Sequence, residues 1–203
     1  MIFLNRMSQR KILPREFYDR PVLNVARDLL GMRLVRILDG KRVAGIILET
    51  EGYDGESDLA CHAHVGRTKR NEVMFGPPGY AYVYFIYGMH WMLNCVTGQK
   101  DYPAAVLIRA IQPVENLELI AEIRLPARKE DWCNGPAKLT QVLQINGELN
   151  GANLCSSKSP LFIEADRTIV DENVNILPRV GINSVAEPWR SKPWRFLAKL
   201  PAR

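Results

Sequence analysis

Two glutamates and a tyrosine stand at alternate positions in the run Glu49-Thr50-Glu51-Gly52-Tyr53. In a strand, alternate side chains share a face, so Ile47, Glu49, Glu51 and Tyr53 point one way, while Ile46, Leu48 and Thr50 point toward the expected core. Two carboxylates beside an aromatic ring at a strand end suit a polar pocket with a stacking wall, where a carboxylate can act as a general base toward water. The plainer alternative is a solvated strand end. Four of the seven tyrosines (Tyr80, Tyr82, Tyr84 and Tyr87) lie within eight residues. Alternation aligns the first three on one face, and Tyr87 falls beside Gly88 at an expected hairpin tip. A ring on an exposed tip is a poor core residue but a good wedge between nucleic-acid bases. A cross-strand aromatic ladder accounts for Tyr80 and Tyr82 but poorly for Tyr87. Arg109 is the one charge in Ala104–Ile111. A guanidinium in a strand expected to be buried needs an anion, and Glu51, Glu49 or a phosphate would serve. An arginine snorkelling from a strand end is the alternative.

Other chemistries lack their residues. His62-x-His64 could chelate with Glu51 as third ligand, but there is no His-Glu-x-x-His and His90 is the remaining imidazole, so no catalytic metal is expected. A Gly-x-x-x-x-Gly-Lys phosphate loop, a Gly-x-Gly-x-x-Gly fingerprint and a Gly-x-Ser-x-Gly elbow are all missing from the chain. Cys61, Cys95, Cys133 and Cys155 are scattered without a Cys-x-x-Cys pair. They read as free thiols in a reducing compartment rather than as a metal knuckle or an iron–sulfur site.

The elements that must position these residues follow from periodicity. Val22, Val25, Ala26, Leu29 and Leu30 form a helical stripe that Gly31 closes. Strands are predicted over 32–38 and 41–51, joined by Asp39-Gly40, the pair a two-residue hairpin turn prefers. Residues 53–70 have loop character. Residues 80–96 read as two strands hinged near Gly88, and Ala104–Ile111 as another. A helix is expected from Pro113, with Leu117, Ile120 and Ala121 on its apolar face to about Arg124. A second is expected from Gly135-Pro136, with Leu139, Val142 and Leu143 inward and Asn146-Gly147 ending it. Further short strands are predicted over 161–164, 174–177 and 194–200. Hairpins with a few helices, rather than alternating strands and helices, indicate an α+β fold.

The chain has 203 residues, 47% hydrophobic and 24% charged, which supports one core and excludes disordered, collagen-like and disulfide-dense classes. Residues 1–20 read as a basic, partly ordered arm and 21–203 as a single domain. Between Glu72 and Lys100 no residue is formally charged. A membrane helix is the competing reading there, but Pro77, Pro78, Gly79 and Gly88 interrupt it, and the Tyr, Val, Phe and Ile content favours strands. With no apolar run of signal-peptide length near the start, an intracellular protein is expected, in cytoplasm, nucleoid or nucleus. The net charge is +5, which tilts toward an anionic partner. From Gly181 to Arg203, five bases (Arg190, Lys192, Arg195, Lys199, Arg203) meet one acid, Glu187. Arg67, Lys69 and Arg70 form a second cluster before the tyrosine run. Positive clusters flanking an uncharged aromatic tip fit backbone contacts around an intercalating loop, with Arg67, Arg70 and Arg195 as candidates. Arg124–Lys129 reads as a solvated face.

Taken in order, Glu49-Thr50-Glu51-Gly52-Tyr53, His62 eleven residues after Glu51, Arg70-Asn71, Met74-Phe75 and Tyr82-Val83-Tyr84-x-x-Tyr87-Gly88-Met89 resemble the alkyladenine (3-methyladenine) DNA glycosylases. Asn94, the strand ending in Arg109, Asn134-Gly135-Pro136-x-Lys138-Leu139 and Lys192-Pro193-Trp194-Arg195-Phe196 extend the resemblance, which runs from about Val25 to Phe196. The chain looks like a compact member, without a long N-terminal extension. His90 stands where a relative carries tyrosine, and the resemblance assigns nothing to His64 or Cys61.

The resemblance implies a curved, mainly antiparallel sheet with peripheral helices and a protruding β-hairpin. It also implies a monofunctional enzyme acting on double-stranded DNA, which flips out a damaged purine and hydrolyses its N-glycosidic bond. Glu51 would activate the water, and Arg109 would help hold that water or the target phosphate. Tyr53 would stack on one face of the flipped base, with His62 and Tyr84 on the other. Tyr87 would fill the gap in the duplex, and Asn94 would occupy the space a guanine 2-amino group needs. No lysine stands where a Schiff-base nucleophile belongs, so strand cleavage is not expected. No cofactor, no membrane and a monomeric state are expected. The competing reading is a non-catalytic nucleic-acid-binding module on the same scaffold, which would need Tyr87 and the basic clusters but not Glu51.

Overall fold

Asp39 and Gly40 both take positive φ, 47° and 76°, the twist that joins two antiparallel strands through two residues. They link β1 (Arg33–Leu38) to β2 (Lys41–Asp54). The computed structural model describes residues 10–199; residues 1–9 of the segment read as an arm, the last residue of the strand expected over 194–200, and Arg203 lie outside them. An antiparallel sheet then builds outward from β2. On one edge lies β5 (Ala104–Glu115), then β4 (His90–Thr97) and β3 (Ala81–Ile86). On the other lie β1 and β6 (Leu161–Glu164). Past the end of β1, the same edge of β2 pairs with β8 (Arg195–Ala198), which also pairs with β7 (Val174–Leu177). A single α+β domain results.

Helices cover one face of the sheet. They are α1 (Arg15–Tyr18), α2 (Val22–Asp28), α3 (Leu117–Arg124) and α4 (Pro136–Val142). The stripe Val22, Val25, Ala26 and Leu29 is buried against β2 and β5 side chains such as Ile47 and Ile108. Each fully buried Val or Leu there stabilises the fold by about 1.5–3 kcal/mol. Within the segment read as an arm, Leu13 donates to the Ile163 carbonyl at 2.8 Å and Tyr18 is fully buried. The opposite face of the sheet carries a smaller cluster. The segment 58–76 folds over it through two 3-10 turns, His62–Val65 and Glu72–Phe75, and packs Cys61, Ala63, Met74 and Phe75 on Tyr82, Val96 and Ala105.

Three sequence expectations need correction. Pro113 does not start a helix: it lies in β5 opposite Gly45, beside a register irregularity where its missing N–H is tolerated. Helix α3 instead follows Asn116, which takes a left-handed φ of 55°. Helix α4 ends at Val142, before Asn146, whose side chain accepts from the Glu148 N–H. Ile47 does not share the face of Glu49. Leu48 is skipped in the β2–β5 pairing and, one step on, so is Arg109. These paired bulges reverse the alternation in both strands. Val43 and Ile47 therefore face the main core on one side of the bulge, with Leu48 and Thr50 on the other. Glu49, Glu51, Tyr53 and Arg109 are delivered together to the second face.

Candidate active site

Thr50 and Gly52 point toward the helices and lock the strand from behind. The Thr50 hydroxyl donates to the Ala26 carbonyl at 2.7 Å. At Gly52 a Cβ would stand 2.8 Å from Leu23, so the close approach of α2 leaves room only for glycine unless Leu23 shifts. Glu51 and Tyr53, between and beyond them, are thereby aimed away from the core.

Glu51 has no solvent-exposed surface. One carboxylate oxygen accepts the Val180 N–H at 2.7 Å and lies 3.3 Å from Arg109; the other accepts the Tyr53 hydroxyl at 2.9 Å. Burial raises the Glu51 pKa above the usual carboxylate range, and Arg109, the Val180 N–H and Tyr53 only partly oppose that rise. Glu49 takes 2.9 Å hydrogen bonds from both Arg109 Nε and Arg195. Two carboxylates and two guanidiniums thus neutralise one another, and the anions facing Arg109 are both glutamates.

In front of this cluster lies a cavity of about 370 Å³. Tyr53, His62, Tyr84, Asn94 and Arg109 line it, with Met74, Leu107 and the segment Val180–Ile182. The His62 and Tyr84 rings meet edge to face, with centroids 4.5 Å apart. His62 Nδ1 is 2.9 Å from the Tyr82 hydroxyl. Burial, then Arg70 and His64, lower the His62 pKa to about 4, so the ring is neutral at pH 7. Burial carries Tyr84 up to about 12. Asn94 donates its amide to the Tyr82 carbonyl at 3.1 Å and is itself buried. The loop bearing His62 is tied by Asn71, whose amide donates to the His62 and Gly66 carbonyls, both at 2.9 Å. His64 turns away, its ring within 2.9 Å of the Cys61 carbonyl. Among the described residues, no three His, Cys, Asp or Glu side chains gather as metal ligands would.

Tyr87 lies on the cavity rim at the β3–β4 tip, 75% exposed, and takes a φ of 55° with Gly88 at 68°. Arg70 sits over Tyr84 at 5.5 Å and donates to the Phe85 carbonyl. Arg67 is farther from the glutamates, paired with the exposed Asp101 at 2.7 Å. The structure therefore gathers Arg109, Tyr53, His62, Tyr84 and Asn94 around one pocket, with Glu51 buried behind the Arg109 and Tyr53 side chains that it contacts. Tyr87 and Arg70 stand at its edge, Arg195 lies behind it, and Arg67 lies apart. Sequence reasoning missed Val180, whose backbone N–H reaches Glu51, and the buried pair Arg179–Asp58 beside it. A backbone donor leaves no trace in residue type, and Arg179 stands in a stretch with no period to single it out.

Among the described residues, no helix is long and apolar enough to cross a membrane. A family model described as methylpurine-DNA glycosylase (MPG) matches residues 16–201. A protein of Methanocella arvoryzae named "Putative 3-methyladenine DNA glycosylase" is 50% identical over 189 residues, covering 93% of this chain and 92% of its own. Proteins bearing the same name from Carboxydothermus hydrogenoformans and Desulfitobacterium hafniense are 47% and 43% identical, covering 93% and 92% of this chain and 95% and 94% of theirs. Similarity of that extent spans the pocket, the hairpin and the strand that carries both glutamates. The chain accordingly belongs to the methylpurine-DNA glycosylase family, and is a DNA glycosylase, a DNA-repair hydrolase of N-glycosyl bonds.

Proposed function

We propose that the protein is a monofunctional glycosylase that flips alkylated or deaminated purines (the 3-methyladenine, hypoxanthine and ethenoadenine class) out of duplex DNA and hydrolyses the N-glycosidic bond with a water activated by Glu51. The observation that carries this reading is a buried carboxylate, raised in pKa and held by Arg109, Val180 and Tyr53, directly behind the wall of an aromatic pocket of about 370 Å³. A base with a raised pKa is a better proton acceptor. Arg109 opposes that rise and steadies the water or the target phosphate. Tyr53 on one side and His62 with Tyr84 on the other stack on the flipped purine, Asn94 rejects a guanine 2-amino group, and Tyr87 fills the gap in the duplex. Arg67 and Arg70 serve the phosphate backbone, Arg195, bonded to Glu49, does so least, and one copy of the chain suffices.

An alkylated purine already carries positive charge and leaves as a neutral base, so it needs little help at the leaving group. A neutral lesion needs a proton, which a His62 held neutral does not supply at pH 7. Alkylated purines are therefore expected to leave faster than hypoxanthine. The test uses labelled duplexes carrying one lesion, treated with and without alkali, for wild type and Glu51→Gln. Breaks that appear only after alkali, and that fall by about 10²–10⁴ in Glu51→Gln with abasic-analogue binding kept, support the reading. Binding without base release on any lesion, alkylated DNA included, would leave the non-catalytic module instead.

A further inference from the structure

Arg179 is buried on the far side of the Tyr53 wall, its guanidinium carbon 4.7 Å from the Tyr53 ring and 4.9 Å from the Trp194 ring. It holds Asp58 through both terminal nitrogens, at 2.5 and 2.9 Å, and that side chain too is fully buried. The same two nitrogens donate to the Gly52 carbonyl at 3.0 Å and the Trp189 carbonyl at 3.2 Å. Asp58 in turn accepts the N–H groups of Asp54 and Ala60. One planar fork thus joins three segments around the site, two of which are also bonded directly through the Gly52 N–H and the Trp194 carbonyl at 2.9 Å. They are the strand residue between Glu51 and Tyr53, the loop leading to His62, and the 189–194 segment. The residue next to Arg179 is Val180, whose N–H is the backbone donor to Glu51.

We infer that Arg179, locked by Asp58, is a positioning residue of the glycosylase: it fixes the plane of the Tyr53 wall and delivers the Val180 N–H to the Glu51 carboxylate. This rests on the assignment of Glu51 as the base. A buried ion pair is no better for stability than apolar groups of the same volume, so its presence beside the reacting carboxylate calls for another role. A lysine cannot replace it, because an ammonium lacks the planar fork that reaches Asp58 and two carbonyls at once. The other groups facing Glu51 are Arg109 of β5, Glu49 and Tyr53 of β2, Tyr84 of β3 and, through Glu49, Arg195 of β8. Arg109, Glu49, Tyr84 and Arg195 are held by other partners, whereas Tyr53 rests on Arg179, so the Val180 hydrogen bond and the Tyr53 plane are what should change when Arg179 is altered.

The experiment measures single-turnover base release at saturating enzyme across pH for Arg179→Lys. Since removing one member of a buried pair endangers the fold, the doubly apolar Arg179→Met/Asp58→Leu is measured beside it, with thermal unfolding and abasic-DNA affinity as controls. The expected result in a folded variant is a rate lowered by up to about 100-fold, as for a slight misplacement of a reacting group, with abasic-DNA affinity unchanged. The acid limb should also move up by about one pH unit, as loss of one charge-assisted hydrogen bond to Glu51 would cause. A folded variant with wild-type rate and acid limb overturns the inference. Glu51→Gln is run alongside: if it keeps its activity, the assignment of the base fails and this inference with it. If Glu51→Gln is inactive while the Arg179 variants behave as wild type, only this inference fails.

Discussion

Glu51 illustrates how a residue made useful for chemistry is made costly for folding. Its folded-state pKa is raised, burial being the main cause. A raised value means the folded state holds its proton more tightly than the unfolded chain. The stability this gives is therefore present below the unfolded carboxylate range, about 4.3, and is lost as pH rises through the folded value. At neutral pH the wild type carries that penalty and Glu51→Gln does not. The variant should melt at a higher temperature than wild type at pH 8, with the difference closing by about pH 4, as calorimetry at the two pH values would read. A lower melting temperature for Glu51→Gln at pH 8 would mean that the Arg109 contact outweighs burial. His62 has the opposite sign. Its folded pKa is depressed to about 4 by burial first, then Arg70 and His64. The folded protein keeps the ring neutral while the unfolded chain protonates it near 6.5, so this contribution to stability is lost as pH falls from about 6.5 to 4. His62→Gln should flatten the fall in melting temperature over that interval, and an unchanged slope would place the effect elsewhere.

At the scale of the element, the β3–β4 hairpin separates folding from binding. Its base packs Val83, Leu93 and Cys95 into the main core, whereas its tip leaves Tyr87 and Met89 in solvent. Tyr87→Ala removes a ring that the fold does not use, so the unfolding free energy should stay within about 0.5 kcal/mol of wild type. Binding to a duplex holding an abasic analogue should weaken by about 1–3 kcal/mol, the range for one base–aromatic stack. Equal binding by the variant would remove the tip from the DNA contact. The hairpin was legible in advance because Gly88 and a dense run of strand formers announce it. The site strand was legible only in part. Strict alternation from Glu49 to Tyr53 is real, but its phase with respect to Ile47 depends on a bulge at Leu48 that no residue there signals. Arg109 could be recognised as a charge needing an anion, yet its own bulge, which brings it to both glutamates, is a property of the pairing between strands. Pro113 misled for a related reason: a proline fits a helix start and a strand irregularity equally well, and the neighbouring strand decides.

At the scale of the whole molecule, the number of bases overstates what is available to DNA. The chain has 27 Lys and Arg against 22 Asp and Glu, and many of the arginines already face carboxylates. Arg33 and Arg42 are held in a network with Glu115, Glu164 and Asp166, and Arg195 and Arg109 by the glutamates of the site. Counterion release, and hence the salt dependence of binding, follows the charges that reach phosphates rather than the sum. Arg67 has a side chain 49% exposed and its partner Asp101 is more exposed still, at 62%, so screening makes that pair weak and the guanidinium free to exchange it for a phosphate. Arg70 donates to a backbone carbonyl and carries its charge to the pocket edge. Arg195 is 20% exposed and bonded both to Glu49 and to the Pro178 carbonyl. Affinity for undamaged duplex, measured from about 50 to 200 mM salt, should therefore distinguish the three. Arg67→Gln and Arg70→Gln should each reduce the slope of log K against log salt by about 0.9, one phosphate contact apiece. Arg195→Gln should reduce it by less and should lower base release instead, because it strips Glu49 of one of its two cations and leaves Arg109 drawn from Glu51 toward Glu49. A slope change at Arg195 as large as at Arg67 would place its guanidinium on the phosphate backbone and return Glu49 to Arg109 alone.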